Sequence, residues 1–109
     1  MSVALTKDTD KFLCVLYKEY LERRKKGESN RDSKYFSSEY IQRLFPNQNQ
    51  EDCMESAREL KKAFDISIDI VGGISLSDET IIYMENRFPE GLSQLLDILG
   101  KFKNAIPFV

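Results

Sequence analysis

The sequence predicts a mostly helical α+β fold with a small antiparallel β-hairpin, and three observations predict it. Long stretches place apolar residues at helical spacing behind Ser, Thr or Asn caps. Past Phe64 the period changes: Ile66, Ile68 and Ile70 alternate with Ser67 and Asp69, the pattern of a half-buried strand. Gly72-Gly73 then precedes a second apolar pair, Ile74 and Leu76. Glycine supplies the positive φ that a two-residue hairpin turn needs.

The first helix is expected from about Lys7 to Lys26. Thr6 and Thr9 both suit its N-cap, and Asp8 and Asp10 complement the helix dipole. Phe12, Leu13, Cys14, Leu16, Tyr17, Tyr20 and Leu21 fill one broad apolar arc, with Lys18, Glu19 and Glu22 opposite. Arg23-Arg24-Lys25-Lys26 fits either a solvated, dipole-compensating end or a phosphate-binding patch, and Gly27 stops the helix. A polar loop follows, with one helical turn started by Ser29, and then a brief strand at Lys34-Tyr35-Phe36. Ser37 or Ser38 caps a short helix to about Phe45, where Pro46 ends it. Asn49 caps the next helix, Gln50 to Phe64, whose inner stripe is Cys53, Ala57, Leu60 and Phe64. After the hairpin, Ser77 caps a helix from Asp78 to about Arg87. A last helix runs from about Glu90 to Asn104.

This order, with a helix pair ahead of a hairpin, is the connectivity of a winged helix-turn-helix with additional C-terminal helices. At 109 residues the chain is long enough for one domain. Residues 7–88 would form its winged-helix core and residues 89–109 a C-terminal helix suited to dimerisation.

Leu76-Ser77-Asp78-Glu79-Thr80-Ile81-Ile82-Tyr83-Met84-Glu85 resembles the segment that follows the wing in bacterial winged-helix proteins, where the return strand runs into Leu-Thr-x-x-Gly-x-x-Tyr-Leu-Glu. The chain is similar in outline to the YjcQ-type family of small winged-helix proteins from Gram-positive bacteria and their phages. It departs from that pattern at Thr80, where the family usually has Gly. The resemblance implies a winged-helix fold and a DNA-binding type of regulator. The motif itself is structural, since Ser77 caps and Tyr83 and Met84 pack.

The chemistry of DNA reading fits the sequence less well. The net charge is −2 and the pI about 5.2, whereas general nucleic-acid affinity rests on positive surface. By order, the recognition helix is Gln50 to Phe64. Gln48, Asn49 and Gln50 suit adenine through their amides, or else serve as turn and cap residues. Arg58, Lys61 and Lys62 suit phosphates. The outer face of this helix, however, is Glu51, Asp52, Glu55, Arg58, Glu59 and Lys62, four of the six being acids. A solvated face with pairs such as Glu59–Lys62 accounts for it equally well. The wing, read as a Gly-Gly turn between Val71 and Ile74, has neither the length nor the charge to grip DNA. Ile68, Ile70, Ile74 and Leu76 are expected to close the core instead. The alternative function is a protein–protein interaction module on the same scaffold.

Partner contact has a second candidate. Leu92, Leu95, Leu96, Ile98, Leu99, Phe102 and Ile106 span an arc of roughly 160°, against the ~100° that a helix resting on a domain needs. Leu95, Ile98, Phe102 and Ile106 are therefore candidates for contact with a second subunit or another protein. Enzymatic chemistry is not expected, and neither is a cofactor. The chain has no His, which removes the commonest general base and metal ligand, and no Gly-rich phosphate loop. Cys14 and Cys53 sit on helical patterns without CxxC spacing and read as small buried hydrophobes. No apolar run approaches the ~18 residues of a membrane span. The N-terminal MSVALTKDTDK turns polar too early for a secretory signal, so a cytoplasmic protein is expected.

Overall fold

The structure is a computed structural model and describes residues 4–101. Six helices and a three-stranded antiparallel sheet follow in the order α1 (Lys7–Lys25), α2 (Asn30–Lys34), β1 (Tyr35–Phe36), α3 (Ser38–Leu44), α4 (Gln50–Phe64), β2 (Ser67–Ile68), β3 (Ile74–Ser75), α5 (Asp78–Arg87) and α6 (Leu92–Lys101). Among the described residues no helix is long and apolar enough to cross a membrane.

The caps explain the helix starts. Thr6, Ser29, Ser37, Asn49 and Ser77 each accept a hydrogen bond from the backbone N–H three residues on. Each satisfies one amide that a helix N-terminus otherwise leaves without a partner. At its other end α1 closes with Gly27 at φ 93°: Gly27 N–H returns to Arg24 O (3.0 Å) and Glu28 N–H to Arg23 O (3.1 Å). This is the paired Schellman arrangement, and it needs a residue at ease in the left-handed region.

Helix α1 is the axis of the molecule. Every residue from Phe12 to Tyr17 is buried, and α2, α4 and α6 pack around it. The apolar arc is wider than the pattern gives, since Val15 is buried as well, while Lys18 and Glu22 keep the opposite side and pair with each other at 3.1 Å. Glu19 belongs to this interior too, at 9% exposure rather than on the solvated face the pattern assigns it. Burying a carboxylate requires partners. It accepts a hydrogen bond from Tyr40 Oη, and Lys18 Nζ lies 3.4 Å away. Asp10 near the start of α1 holds Arg87 at the end of α5 through two bonds of 2.6 and 3.0 Å, joining the first and fifth helices.

The sheet order is β1-β3-β2. Ile74 sits at its centre, opposite Phe36 on one side and Ile68 on the other. Phe36, Ile66, Ile74 and Leu76 turn inward and join the core. The expected alternation fails at Ile70, which is fully exposed (103%), while Ile68 is half-buried. The cause is the turn. Gly72 N–H returns to Asp69 O (3.1 Å) and Asp69 N–H to Gly73 O (2.9 Å). The apex is thus Ile70-Val71, and Gly72 follows it at φ 91°. A two-residue Gly-Gly turn is replaced by a longer one in which a single glycine takes the left-handed position. Ile70 is lifted off the sheet and contributes nothing to the core.

One buried polar atom among the described residues has no partner, the hydroxyl of Ser33, which is 0% exposed. An unpaired buried hydroxyl costs free energy that an apolar side chain of similar size does not. Ser33→Ala is therefore expected to leave stability unchanged or raise it by about 1 kcal/mol. A fall in the urea midpoint would show a hydrogen bond that this geometry lacks.

Candidate interaction surface

The residues expected to read DNA fall into two groups at opposite ends of α4. Of the three amides, two are occupied. Asn49 Oδ1 caps the helix by accepting from Asp52 N–H (2.8 Å). The Gln48 carbonyl accepts from Gln42 Nε2 (2.8 Å), and the Gln48 amide oxygen lies 3.7 Å from Cys53 Sγ. Gln50 alone presents an exposed side chain without such a role, beside Gly72 of the hairpin. Arg58, Lys61 and Lys62 are exposed near the C-terminal end. Between the two groups stand the exposed Glu51, Asp52 and Glu55.

Glu59 does not pair with Lys62 as the spacing suggests. Its carboxylate instead clasps the start of α1, accepting from Thr6 N–H (2.7 Å), Thr6 Oγ1 (2.9 Å) and Thr9 Oγ1 (2.8 Å). The Thr6 N–H does most to hold the Glu59 carboxyl below its ordinary value. Hydrogen bonds to the charged form favour it, and an anion at a helix N-terminus gains from the dipole. Asp69 is lowered as well, chiefly by the Gly73 N–H and then by Tyr35 Oη.

The pH dependence has a definite sign. Both carboxylates are depressed on folding, so their contribution is complete above their unfolded values of 4.5 and 3.8 and is lost as pH falls through the folded ones. Glu59→Gln should lower stability at neutral pH by about 1 kcal/mol, screening included. It should also flatten the loss on acidification, read from urea midpoints at neutral pH and near pH ~3.5. A variant with an unchanged acid limb would remove Glu59 from that account.

The clasp forms one wall of an open cleft of about 390 Å³ between α1 and α4. Thr6, Asp8, Thr9, Gln48, Asp52, Glu55, Ser56 and Glu59 line it, four carboxylates with no cationic side chain. Such a surface repels phosphate. Among the described residues no group of three or more His, Cys, Asp or Glu is placed to hold a metal ion.

The basic end of α1 is not a free patch either. Arg23 lies over the rings of Phe36 (4.4 Å) and Tyr40 (4.8 Å). Its guanidinium donates to the carbonyls of Asp32 (3.2 Å) and Tyr35 (2.5 Å), closing the end of α2. Arg24, Lys25 and Lys26 are exposed.

On α6 the interface candidates divide. Leu95 is 0% exposed and Leu99 is buried, so Leu95 is core and is not available to a second chain. Packing of α6 on α1 consumes that side of the arc. Ile98 is half-buried against the core, and Leu96, outside the candidate set, is 42% exposed. Phe102 and Ile106 lie outside the described residues.

The two thiols are poor nucleophiles. Burial, with Asp10 nearby, pushes Cys14 up to about 12, and burial raises Cys53.

The hairpin apex is the feature that periodicity missed. The Asp69 carboxylate accepts from Val71 N–H (3.0 Å), Gly73 N–H (2.7 Å) and Tyr35 Oη (2.9 Å), and so locks the loop from within. Gly73 leaves room for this arrangement, because a Cβ there would meet Tyr35 Oη and the Asp69 carboxylate and force one of them to shift. The result is a fixed tip with Ile70 at 103% and Val71 at 67% exposure. The available signal was Asp69 itself, an aspartate at the first position of a turn with glycine three residues later.

Comparison with family models, with curated proteins and with solved structures gives no match.

Proposed function

We propose that the chain is a winged helix-turn-helix domain that serves as a non-enzymatic protein-interaction module, with the β2–β3 hairpin as its wing. The fold reading rests on the element order and the sheet order β1-β3-β2, in which the strand before the helix pair completes the wing. The likeness of Leu76–Glu85 to the segment after the wing in YjcQ-type proteins adds to it. One observation carries the functional reading: an apolar pair, Ile70-Val71, is held rigidly in solvent at the wing tip. Exposed apolar groups on an ordered element mark contact sites more often than a scattered surface leucine does. The carboxylates on α4 and the internal use of Arg23 argue in the same direction, away from a polyphosphate. The buried, unpaired thiols suit a cytoplasmic protein.

A second reading, a DNA-binding regulator of a bacterium or phage, is favoured by the exposed Arg58, Lys61 and Lys62, with Gln50 as the remaining base-reading amide. The two readings separate in one titration. With labelled mixed-sequence duplex DNA at low salt, fluorescence anisotropy should stay flat. Saturable binding that weakens as salt rises, and that Lys61→Ala and Lys62→Ala reduce, would replace the first reading with the second.

A further inference from the structure

The hairpin rests on a sulfur atom. Gly72, at φ 91°, is buried, although Val71 beside it is exposed. Three side chains cover it. Measured from the position a Cβ on Gly72 would take, Ser38 Cβ stands at 3.5 Å, Met54 Sδ at 3.7 Å and Gln50 Nε2 at 3.9 Å. The Met54 thioether, near the start of α4, therefore packs against the turn.

Solvent reaches the surroundings of this atom. Met54 is half-buried and lines, with Gln50, Gly72 and Ile74, a shallow opening of about 10 Å³ between α3, α4 and the hairpin. That is close to the space one water-sized molecule needs. The other sulfur atoms among the described residues are more enclosed. Met84 and Cys14 are 0% exposed. Cys53 shares the lining, but it is only 4% exposed and its Sγ lies 3.7 Å from Gln48 Oε1.

An oxygen added to this sulfur meets no free amide in the turn. Val71 and Gly73 N–H already donate to the Asp69 carboxylate, and Gly72 N–H donates to the Asp69 carbonyl. A sulfoxide oxygen pressed against the turn would be a polar group without a partner, which costs free energy. Water or the exposed Gln50 amide is left to it, and turning there takes the sulfur off Gly72.

We propose that Met54 is a peroxide-sensitive modification site that sets how firmly the wing is seated on α4. The sulfur lone pair attacks one oxygen of hydrogen peroxide. The S–O bond forms as the O–O bond breaks, and the departing hydroxide takes up the remaining proton as water. Sulfur is oxidised by two electrons and the peroxide, supplied from outside, is reduced. A flexible apolar prop becomes a larger, polar one. The hairpin keeps its internal Asp69 bonds but loses its seat, so it opens more often by itself. The inference concerns the wing as a body and holds whether the wing meets protein or DNA.

The test treats the full chain with hydrogen peroxide and follows it by peptide mapping, which also separates Met1. Met54 should gain one oxygen about tenfold or more faster than Met84, and ahead of Cys53. In the oxidised protein, amide exchange read by NMR should quicken about threefold to tenfold at Asp69, Gly72 and Gly73, and stay unchanged from Phe12 to Tyr17 in α1. Met54→Leu, close in volume, should fold and show no such response to peroxide. Oxidation of Met84 at an equal rate, or of Cys53 first, would overturn the site. Full conversion of Met54 with hairpin exchange unchanged would make the sulfoxide a solvent-facing bystander and overturn the switch, as would an equal response in Met54→Leu. Quickening throughout α1 would mean loss of the whole fold, and would overturn it as well.

Discussion

Leu95→Ala is expected to destabilise the protein by about 2–5 kcal/mol, with its oligomeric mass unchanged. Leu95 is fully enclosed where α6 rests on α1, and Leu99, one turn on, is buried beside it. Truncation removes apolar contact and leaves a cavity whose walls, helical on both sides, collapse only in part. Leu96→Ala is the control. Leu96 is 42% exposed, and its loss should stay within about 0.5 kcal/mol. Urea unfolding of both variants, with light scattering on the folded samples, separates a core residue from an interface residue. A Leu95→Ala midpoint equal to the parent's, together with a lower mass, would return this residue to the partner face that the sequence pattern suggests.

Arg23→Ala should cost about 2–3 kcal/mol, and Arg23→Lys should recover less than half of it. The guanidinium does two things at once. Its plane covers Phe36 and Tyr40, and its N–H groups donate to the carbonyls of Asp32 and Tyr35, which ties the end of α1 to the end of α2. A lysine offers a point charge with neither the flat face nor the fork. Arg24→Ala, one residue on and exposed, gives up a single bond to the Glu28 carbonyl (2.9 Å) and should change stability by about 0.5 kcal/mol or less. Equal losses from the two substitutions would mean that Arg23 acts only through the helix dipole.

These two residues show where sequence reading stopped. Helix starts were legible because capping is local: Thr6, Ser29, Ser37, Asn49 and Ser77 each act within three residues of themselves. The change of period after Phe64 placed the hairpin for the same reason. What periodicity does not contain is the partner across space. Glu19 looked solvated until Tyr40, 21 residues away, supplied its hydrogen bond. Glu59 looked like half of a helical ion pair, yet it binds Thr6 across 53 residues. Leu95 lay on an arc too wide for a helix with one neighbour. The hairpin apex was misjudged differently: two adjacent glycines outweighed Asp69, and an aspartate able to bond its own loop fixed the turn further toward the N-terminus. That shift replaced an inert tip with an apolar one, and the whole site reading follows from it.

The central position of α1 has a further bearing on how the chain is made. A ribosome delivers this helix first, and α6, its last cover, follows about 70 residues later. At ~5–20 residues per second that interval lasts roughly 4–14 s. Throughout it the buried run Phe12 to Tyr17 lacks part of its enclosure and is open to any holdase near the exit tunnel. The core around α1 is thus complete only once α6 has been made. A nascent chain arrested before Leu92 should stay bound to such factors, and one extended past Lys101 should let go of them.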